Sequence, residues 1–299
     1  MSEQIKHECG IAHIRLRKPL QYYIDKYGSA TYAVNKLYIM MQKQSNRGQD
    51  GVGVANIKVD VEPGTRFISR YRTINPQPVA EIFAKIGRKF DKAKKKPGYN
   101  PKDAEWMKKN MGFTGELWMG HLRYGTHGKN SIESCHPFLR QNNWRSRNLV
   151  MAGNFNMTNV DELFDLLVQL GQHPKEKTDT VTVMEKIGHF VDEENQRIFD
   201  KYRSKKENFE ITQNIESEMN IQRILKRSFK DFDGGYAMVG LLGHGASFVV
   251  RDPNGIRPAF KYIDDEVIVV ASEKQAIKAA FNVNYAEITD VKPGHALII

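Results

Sequence analysis

The pattern of apolar and polar positions alternates between short β-like runs and longer stretches of helical spacing. Apolar or alternating runs predict strands at 9–16, 52–59, 66–71, 117–123, 148–152, 235–242, 247–251, 259–262, 267–271 and 295–299. Apolar positions three and four apart predict helices at 29–44, 159–170, 180–202, 212–229 and 273–281, the first with Ser29 as its N-cap. Because these elements come in blocks without strict β–α–β alternation, we expect an α+β fold of two largely antiparallel sheets between helical layers.

Two stretches are interpreted as helical insertions on this core. Residues 76–115 are rich in lysine, have mixed periodicity and contain the turn-forming segment Pro97-Gly98-Tyr99-Asn100-Pro101. They predict a helix at 79–92, a loop and a short second helix. The other helical insertion is expected near 190–228.

Composition narrows the class of protein. The 299 residues are 40% apolar, which is enough for a sizeable core, and the first eight are too polar for a secretory signal. No apolar run approaches the roughly 18 residues of a membrane span. Two cysteines fit a reducing compartment, and the chain has neither a Cys-x-x-Cys nor a His-x-x-x-His pair for structural zinc. We therefore predict a soluble, cytoplasmic protein with no membrane contact and no metal site.

The formal net charge of +10 raises the alternative of a nucleic-acid binder. The excess lies in local basic runs, at 88–96, 108–109, 203–206 and 223–230, which are typical of solvated helix faces. None of these runs interleaves basic residues with aromatics in a stacking pattern, so no nucleic-acid partner is expected. Salt-dependent retention on DNA or RNA would be required to support that alternative.

Cys9 is the first candidate for chemistry, because cleavage of a short leader would make it the first residue. It would then carry a thiol nucleophile and a free α-amine, whose pKa of about 7.7–8.0 suits a general base near neutral pH. The alternative is a small buried thiol at the start of a strand. Support has to come from other positions in the chain.

Three further motifs follow predicted strands or begin helices. Arg123, in a Gly-rich turn at 120–128, could hold a carboxylate with both prongs of its guanidinium, or could be an ordinary surface arginine. Asn154, in the segment 153–159, could stabilise an oxyanion, while Thr158 or Asn159 caps the next helix. Asp179 could bind an ammonium group, or could be a first-turn acid favoured by the helix dipole.

Other motifs are weaker. Residues 46–51 form a polar turn after the first helix, and 251–258, Arg-Asp-Pro-Asn-Gly-Ile-Arg-Pro, form a rigid turn between strands. The glycines at 240, 243 and 245 begin no helix, which argues against a dinucleotide loop. Cys135 and His136 are adjacent in an extended segment, so their side chains should point apart and not form a catalytic pair.

Taken together, the chain resembles the glutaminase domain of the glutamine phosphoribosylpyrophosphate amidotransferases, which are class II glutamine amidotransferases. The resemblance covers 9–299 and rests on motifs in the family's order: Cys9-Gly10-Ile11, Arg47-Gly48-Gln49-Asp50-Gly51, Gly120-His121-Leu122-Arg123-Tyr124-Gly125-Thr126, Asp233-Gly234-Gly235-Tyr236, 251–258 and Ser272-Glu273. It implies the αββα sandwich of the N-terminal-nucleophile hydrolases. The segment 251–258 and Gln49 point to the phosphoribosyl branch.

The resemblance also implies a reaction on L-glutamine. Cys9 would attack the side-chain amide and release ammonia, leaving a thioester that water hydrolyses. Asn154 and the backbone N–H of Phe155 would form the oxyanion hole. The ammonia would feed phosphoribosylamine synthesis in purine biosynthesis.

Residues that bind the substrate follow by motif. Arg123 would hold the α-carboxylate, with Thr126 beside it, and Asp179 would hold the α-ammonium. Arg47 would lie in the loop near the nucleophile. Arg123 together with Asp179 suits an amino-acid head group, which argues against an amidase for some other amide.

The chain departs from the family at several points. Phe155 stands where the family has a glycine that tolerates positive φ, and Asn46 replaces a histidine. We interpret residues 1–8 as a leader or propeptide and expect no phosphoribosyltransferase domain in this chain. The resemblance assigns magnesium and phosphoribosylpyrophosphate to that partner domain, no cofactor to this one, and a homo-oligomer to the full-length enzyme. Phe155 and an uncut leader would instead suit a catalytically silent regulatory or assembly module.

Overall fold

The computed structural model describes residues 8–125 and 131–299, which form two antiparallel sheets between helices. In the described part of the chain, one sheet has seven strands in the order β11-β9-β10-β1-β4-β2-β3. Its strands are β1 (Gly10–Leu16), β2 (Gly51–Ile57), β3 (Ile68–Thr73), β4 (Leu117–Arg123), β9 (Phe260–Ile263), β10 (Val267–Ala271) and β11 (Thr289–Asp290). The described part of the other sheet runs β12-β8-β7-β6-β5, with β5 (Phe138–Arg140), β6 (Leu149–Met157), β7 (Gly234–Leu242), β8 (Ser247–Arg251) and β12 (Ala296–Ile298).

Helices cover the outer face of each sheet, and this arrangement confirms the predicted αββα sandwich. The first sheet is covered by α1 (Leu20–Tyr27), α2 (Tyr32–Lys43), α3 (Pro78–Ala93), α4 (Ala104–Asn110) and α9 (Lys274–Phe281). Near the second sheet lie α5 (Val160–Gln169), α6 (Asp179–Tyr202), α7 (Asn208–Glu218) and α8 (Ile221–Ser228), with α7 packed mainly on α6. Each outer layer has its own apolar core.

A third core of aliphatic side chains lies between the two sheets. Ile11 and Met119 from the first sheet meet Val150, Ala152 and Val239 from the second. All five are fully buried. This layer of contacts sets the spacing of the sheets, and therefore the spacing of any groups that the two sheets present to one another.

Two helix predictions were wrong in detail. Ser29 caps no helix: its hydroxyl accepts a hydrogen bond from the Thr31 N–H at 3.1 Å, and α2 begins at Tyr32 after the unpredicted helix α1. The expected helix at 212–229 is two helices, α7 and α8. Asn220 separates them, because its side chain accepts a bond from the Arg223 N–H at 2.9 Å and so begins α8 as an N-cap.

The helices predicted in 76–115 are present as α3 and α4. Ile82, Ile86 and Met107 are buried in the same core as the strands β1 and β2. The segment therefore contributes to the outer layer of the first sheet, while its description as an insertion stays a prediction.

Strand β6 is longer than the sequence predicted. It continues through 153–157, the segment expected to be a junction between strand and helix, and pairs with β7 along this whole length. Asparagine and glycine are disfavoured in strands, which explains the early end of the prediction. Asn154 and Phe155 are thus held by a ladder of hydrogen bonds rather than by a loop.

Candidate active site

A cavity of about 690 Å³ is lined by residues directly before β1 and at the end of β4 in the first sheet and by residues of β6 in the second sheet. Five of the residues proposed from the sequence line it: Cys9, Arg123, Asn154, Phe155 and Asp179. Its other lining residues include Glu8, His121, Tyr124, His136, Glu176, Thr180 and Arg257. Residues far apart in the chain therefore meet at one site.

Cys9 is half-buried and directly precedes β1. The backbone N–H of Tyr124 donates to its Sγ at 3.4 Å, and Sγ lies 3.8 Å from the Tyr124 carbonyl oxygen. Burial raises the pKa of the Cys9 thiol, although the Tyr124 backbone and the charges of Arg123 and Arg47 act in the opposite direction. The thiol therefore depends on a nearby base for deprotonation at neutral pH.

Arg47 lies next to Cys9 but is not among the residues that line this cavity. It ends a 3-10 turn at 45–47, and its Nε donates to the Cys9 carbonyl oxygen at 3.2 Å. Its Nη1 also lies 3.6 Å from Oε1 of Glu273. Arg47 thus fixes the backbone of Cys9, in agreement with its expected place near that residue.

Arg123 is the last residue of β4, and its side chain is buried at the cavity wall. The next turn is held by Asp50, which accepts the Gly125 N–H at 2.8 Å. This position agrees with the expected emergence of an arginine from a strand end. Thr126, expected beside it, lies outside the described residues.

Asn154 and Phe155 present different groups to the cavity because successive residues of a strand face opposite sides. Asn154 is 4% exposed, and its Nδ2 donates to Oε2 of Glu8 at 3.3 Å. The Phe155 ring packs with the helical side of the second sheet and covers Gly153, where a Cβ would come within 2.5 Å of the ring. The Phe155 side chain therefore points away from the face that carries the Asn154 amide.

The backbone at Phe155 resolves the expected conflict with the missing glycine. Phe155 is not among the described non-glycine residues with positive φ, because it has strand geometry. Gly153 donates its N–H to Nδ1 of His136 at 3.2 Å, on the edge of β6 away from β7. Since N–H groups two residues apart in a strand point to the same edge, the Phe155 N–H faces this edge too.

Two buried histidines support this edge from behind. Nε2 of His121 lies 3.1 Å from the Gly153 carbonyl oxygen, so it carries the proton and donates. Burial lowers the pKa of His121 to about 4 and that of His136 well below its usual range, so both rings are neutral at pH 7. Both rings support β6 through Gly153. This role could not be predicted from the sequence, because the two histidines reach β6 only in the folded chain.

Asp179 lines the cavity from the start of α6. Its Oδ1 accepts the Thr180 N–H at 2.7 Å, and Thr178 caps the helix by accepting the Val181 N–H at 3.3 Å. Burial raises the pKa of Asp179, with the Thr180 bonds opposing that shift. Thr180 also meets Nε2 of His136 at 3.1 Å, which ties this wall to β6.

Arg257 is a cavity residue that the sequence reasoning missed. It ends a turn organised by Asp252, which accepts backbone N–H groups from Asn254, Ile256 and Arg257 at 2.9–3.0 Å. Arg251 binds the Arg257 carbonyl oxygen at 2.7 Å. The segment 251–258 was interpreted as a rigid turn, and its rigidity places a guanidinium at the cavity.

Glu8 is the second residue that was missed. Its carboxylate pairs with Arg47 at 3.1 Å and with Arg257. In the sequence, Glu8 is interpreted only as the last residue of a leader; residues 1–7 lie outside the described part.

The adjacent side chains of Cys135 and His136 point apart, as expected for an extended segment. Cys135 Sγ points toward the Thr73 carbonyl at 3.8 Å while His136 turns to Thr180, so the two do not form a pair. Within 8–125 and 131–299, no group of three or more His, Cys, Asp or Glu residues is arranged to hold a metal ion. No helix in these ranges combines the length and apolarity that a bilayer span requires.

In chemical terms, the site joins a thiol, amide and backbone donors, and charged groups of both signs. Asn154 and the Phe155 N–H can donate to a developing oxyanion. Arg123 and Asp179 can hold the carboxylate and ammonium of an amino acid.

No family model matches the chain, but proteins of similar sequence are known. Amidophosphoribosyltransferase of Pasteurella multocida is 24% identical over 297 residues, covering 97% of this chain and 46% of that protein. The Methanothermobacter thermautotrophicus protein of the same name is 25% identical over 295 residues, 98% of this chain and 47% of its own length. The chain spans about half the length of the relatives it matches.

Solved structures agree at the level of the fold. The glutamine phosphoribosylpyrophosphate amidotransferase of Bacillus subtilis, complexed with ADP and GMP, superposes with a TM-score of 0.54 at 22% identity, covering 97% of this chain and 47% of that one. A structure described as the allosteric regulatory enzyme of purine biosynthesis gives 0.53 at 22% identity with the same coverage. The chain is thus similar in sequence to amidophosphoribosyltransferases over about half of their length, and it shares its fold with the matching part of the glutamine phosphoribosylpyrophosphate amidotransferase structure.

Proposed function

We propose that this chain hydrolyses the side-chain amide of L-glutamine to glutamate and ammonia, with Cys9 as the nucleophile. The observation that carries the proposal is the convergence of Cys9, Asn154, Arg123 and Asp179 on one cavity. Similarity to amidophosphoribosyltransferases supports the same reaction class.

The reaction requires Cys9 to be the first residue of the chain. Its α-amine then accepts the thiol proton, and the sulfur adds to the amide carbon of glutamine. Asn154 Nδ2 and the Phe155 N–H donate to the resulting oxyanion. The C–N bond breaks, the amine returns the proton to the leaving ammonia, and water hydrolyses the thioester to glutamate and free thiol.

Substrate recognition uses two charged residues that line the cavity from different elements. Arg123 holds the α-carboxylate, and Asp179 holds the α-ammonium from the start of α6. Thr126 is assigned beside Arg123 from the motif alone. Charge-assisted bonds of this kind are worth about 1.5–3 kcal/mol each, so losing one should weaken binding by roughly 10- to 100-fold.

We further propose that the ammonia serves phosphoribosylamine synthesis in purine biosynthesis, as the names of the relatives suggest. A phosphoribosyltransferase domain would be the partner and would hold phosphoribosylpyrophosphate with magnesium. The glutaminase reaction of this chain alone should be slow, because the proposed partner completes and activates the site.

The test is a glutaminase assay that compares a chain beginning at Cys9 with the uncut chain of residues 1–299. We expect glutamate release from the shorter chain, none from its Cys9→Ala variant and none from an uncut full-length chain. Asp179→Asn should raise KM for glutamine at least tenfold. Asp161→Asn is the matched control, since Asp161 is also a first-turn acid of a helix and its side chain is 80% exposed.

A catalytically silent module is the second candidate, and the raised pKa of the half-buried Cys9 thiol favours it. A thiol-reactive glutamine analogue separates the two functions. Glutamine-protected labelling of Cys9 in the shorter chain supports the enzyme. Absence of both labelling and glutamate release supports the silent module.

A further inference from the structure

The carboxylate of Glu8 sits in a seat made by three donors. Arg47 Nη2 lies 3.1 Å from its Oε2, Asn154 Nδ2 donates to the same oxygen at 3.3 Å, and Arg257 Nη1 pairs with Oε1. The Glu8 side chain is 32% exposed, against 15% for Arg47 and 17% for Arg257. The seat is therefore mostly withdrawn from water, where charge-assisted bonds are strongest.

The seat is built by the fold and does not depend on Glu8 for its shape. The Arg257 N–H donates to Oδ2 of the buried Asp252 at 3.0 Å, and Nε of Arg251 donates to the Arg257 carbonyl oxygen at 2.7 Å. Arg47 is held separately by the Cys9 carbonyl and by Glu273. Removal of Glu8 would leave the donors in place.

Loss of Glu8 would leave a positive charge without its anion. Among residues 8–125 and 131–299, Glu8 is the only acidic partner recorded for the Arg257 guanidinium, whose Nε is buried with no hydrogen-bond partner. A buried guanidinium without a counter-ion is unfavourable. A free anion of the same shape as the Glu8 side chain would therefore bind at this position.

We propose that Arg47, Arg257 and Asn154 form a carboxylate-binding subsite, which Glu8 fills as an internal ligand while it remains attached to Cys9. Once Glu8 is gone, the subsite takes a small external carboxylate. Uncut chains are thus blocked by occupancy as well as by the lack of a free amine. Identification of the external ligand as the side-chain carboxylate of product glutamate rests on the proposed function, whereas the subsite itself does not.

The subsite gives Arg257 a role distinct from that of Arg123. Arg123 lies at the end of β4 and is assigned to the α-carboxylate, whereas the donors around Glu8 include the amide proposed for the oxyanion. A glutamate whose side-chain carboxylate takes the position of the Glu8 carboxylate would be bound as the product of hydrolysis. Such binding predicts product inhibition that depends on Arg257.

The test uses propionate, which reproduces the Glu8 side chain beyond Cα. Full-length chains carrying Cys9→Ala, with intact mass confirming that residues 1–8 are present, are compared with and without Glu8→Ala. The dissociation constant for propionate is obtained from the rise in Tm with concentration at constant ionic strength. We expect it to be at least tenfold lower with Glu8→Ala than with Glu8 in place.

Three controls make this result specific. Propionamide, the neutral isostere, should give no such gain. Adding Arg257→Gln should remove the gain, and adding Asn154→Ala should weaken it at least threefold, which provides a second test if Arg257→Gln unfolds the chain. Glu176→Ala removes another acid of the same cavity and should create no propionate site.

Other outcomes would overturn the subsite. Equal affinity with and without Glu8, equal stabilisation by propionamide, or a gain that survives both Arg257→Gln and Asn154→Ala would each do so. Glutaminase activity is not measured in these chains, so the result is independent of the proposed reaction. Propionate binding without glutamine hydrolysis by the chain that starts at Cys9 would retain the subsite and reject the reaction.

Discussion

Asp252 offers a direct test of how the turn at 251–258 is held. The side chain is fully buried and makes four bonds to backbone N–H groups. Oδ1 accepts from Asn254 at 3.0 Å and Ile256 at 2.9 Å, while Oδ2 accepts from Arg257 at 3.0 Å and Tyr236 at 3.3 Å. Asp252→Asn keeps the shape of the side chain but turns one of the two oxygens into an NH2 group.

The magnitude follows from the number of donors left without an acceptor. Whichever way the amide of the new asparagine turns, two backbone N–H groups face an NH2 group. A buried donor without a partner costs about 1–3 kcal/mol, so the free energy of unfolding should fall by about 2–6 kcal/mol. That is a large fraction of the roughly 5–15 kcal/mol that stabilises a typical domain.

Urea unfolding followed by tryptophan fluorescence measures this loss as a lower midpoint at unchanged slope. Asp290→Asn is the matched control, because Asp290 lies 3.7 Å from Arg251 at the start of the same turn but its side chain is 53% exposed. It should change stability by less than about 0.5 kcal/mol. Were Asp252→Asn to stay within about 1 kcal/mol of the parent chain, the account of the turn would be wrong.

Three other outcomes are expected. Burial lowers the pKa of His13 and of His121 to about 4, below the value of about 6.5 in the unfolded chain. As the pH falls, the unfolded chain therefore binds protons before the folded chain does. The free energy of unfolding should therefore be highest above pH 6.5 and fall toward pH 4 by about 1.4 kcal/mol per pH unit for each histidine, as urea titrations across this range would measure. Gly53→Ala should lower stability by at least about 2 kcal/mol in the same assay, because its Cβ would overlap the carbonyl oxygen of His136, whereas Gly87→Ala, in open space within α3, should not destabilise. In the uncut chain, Cys9 should react with iodoacetamide at pH 7 at least tenfold more slowly than free cysteine, since burial raises its thiol pKa; a rate equal to that of free cysteine would contradict this.

The sequence predicted the strands well where one face is apolar. The bounds of β4, β8 and β10 agree with the prediction to the residue. The end of β6 was misplaced because pairing with β7, a contact between distant parts of the chain, overrides the poor strand preference of Gly153 and Asn154. The predicted helix at 212–229 is divided because the Asn220 side chain caps the N-terminus of α8. This local bond outweighs the continuous apolar spacing of the segment.

Candidate residues at strand ends and helix starts were found because their local context is visible in the sequence. Cys9, Arg123 and Asp179 belong to this group, and the cavity brings them together. Arg257 and His136 were missed because their roles depend on which distant strands approach them. The motif that contains Arg257 was recognised, but no local signal tells that its last arginine faces a cavity rather than solvent.

The aliphatic layer between the sheets sets the distance between groups of the candidate site that lie outside this layer. The proposed nucleophile directly precedes a strand of one sheet, its proposed amide donor lies in a strand of the other, and the two residues are far apart in the chain. Ile11 lies two residues from Cys9, and Ala152 lies two residues from Asn154, both in the same buried layer. The volume of side chains in this layer therefore sets the gap between Cys9 and Asn154 in which the proposed tetrahedral intermediate would fit. A single added methyl group there should alter the proposed turnover while leaving the proposed substrate contacts unchanged.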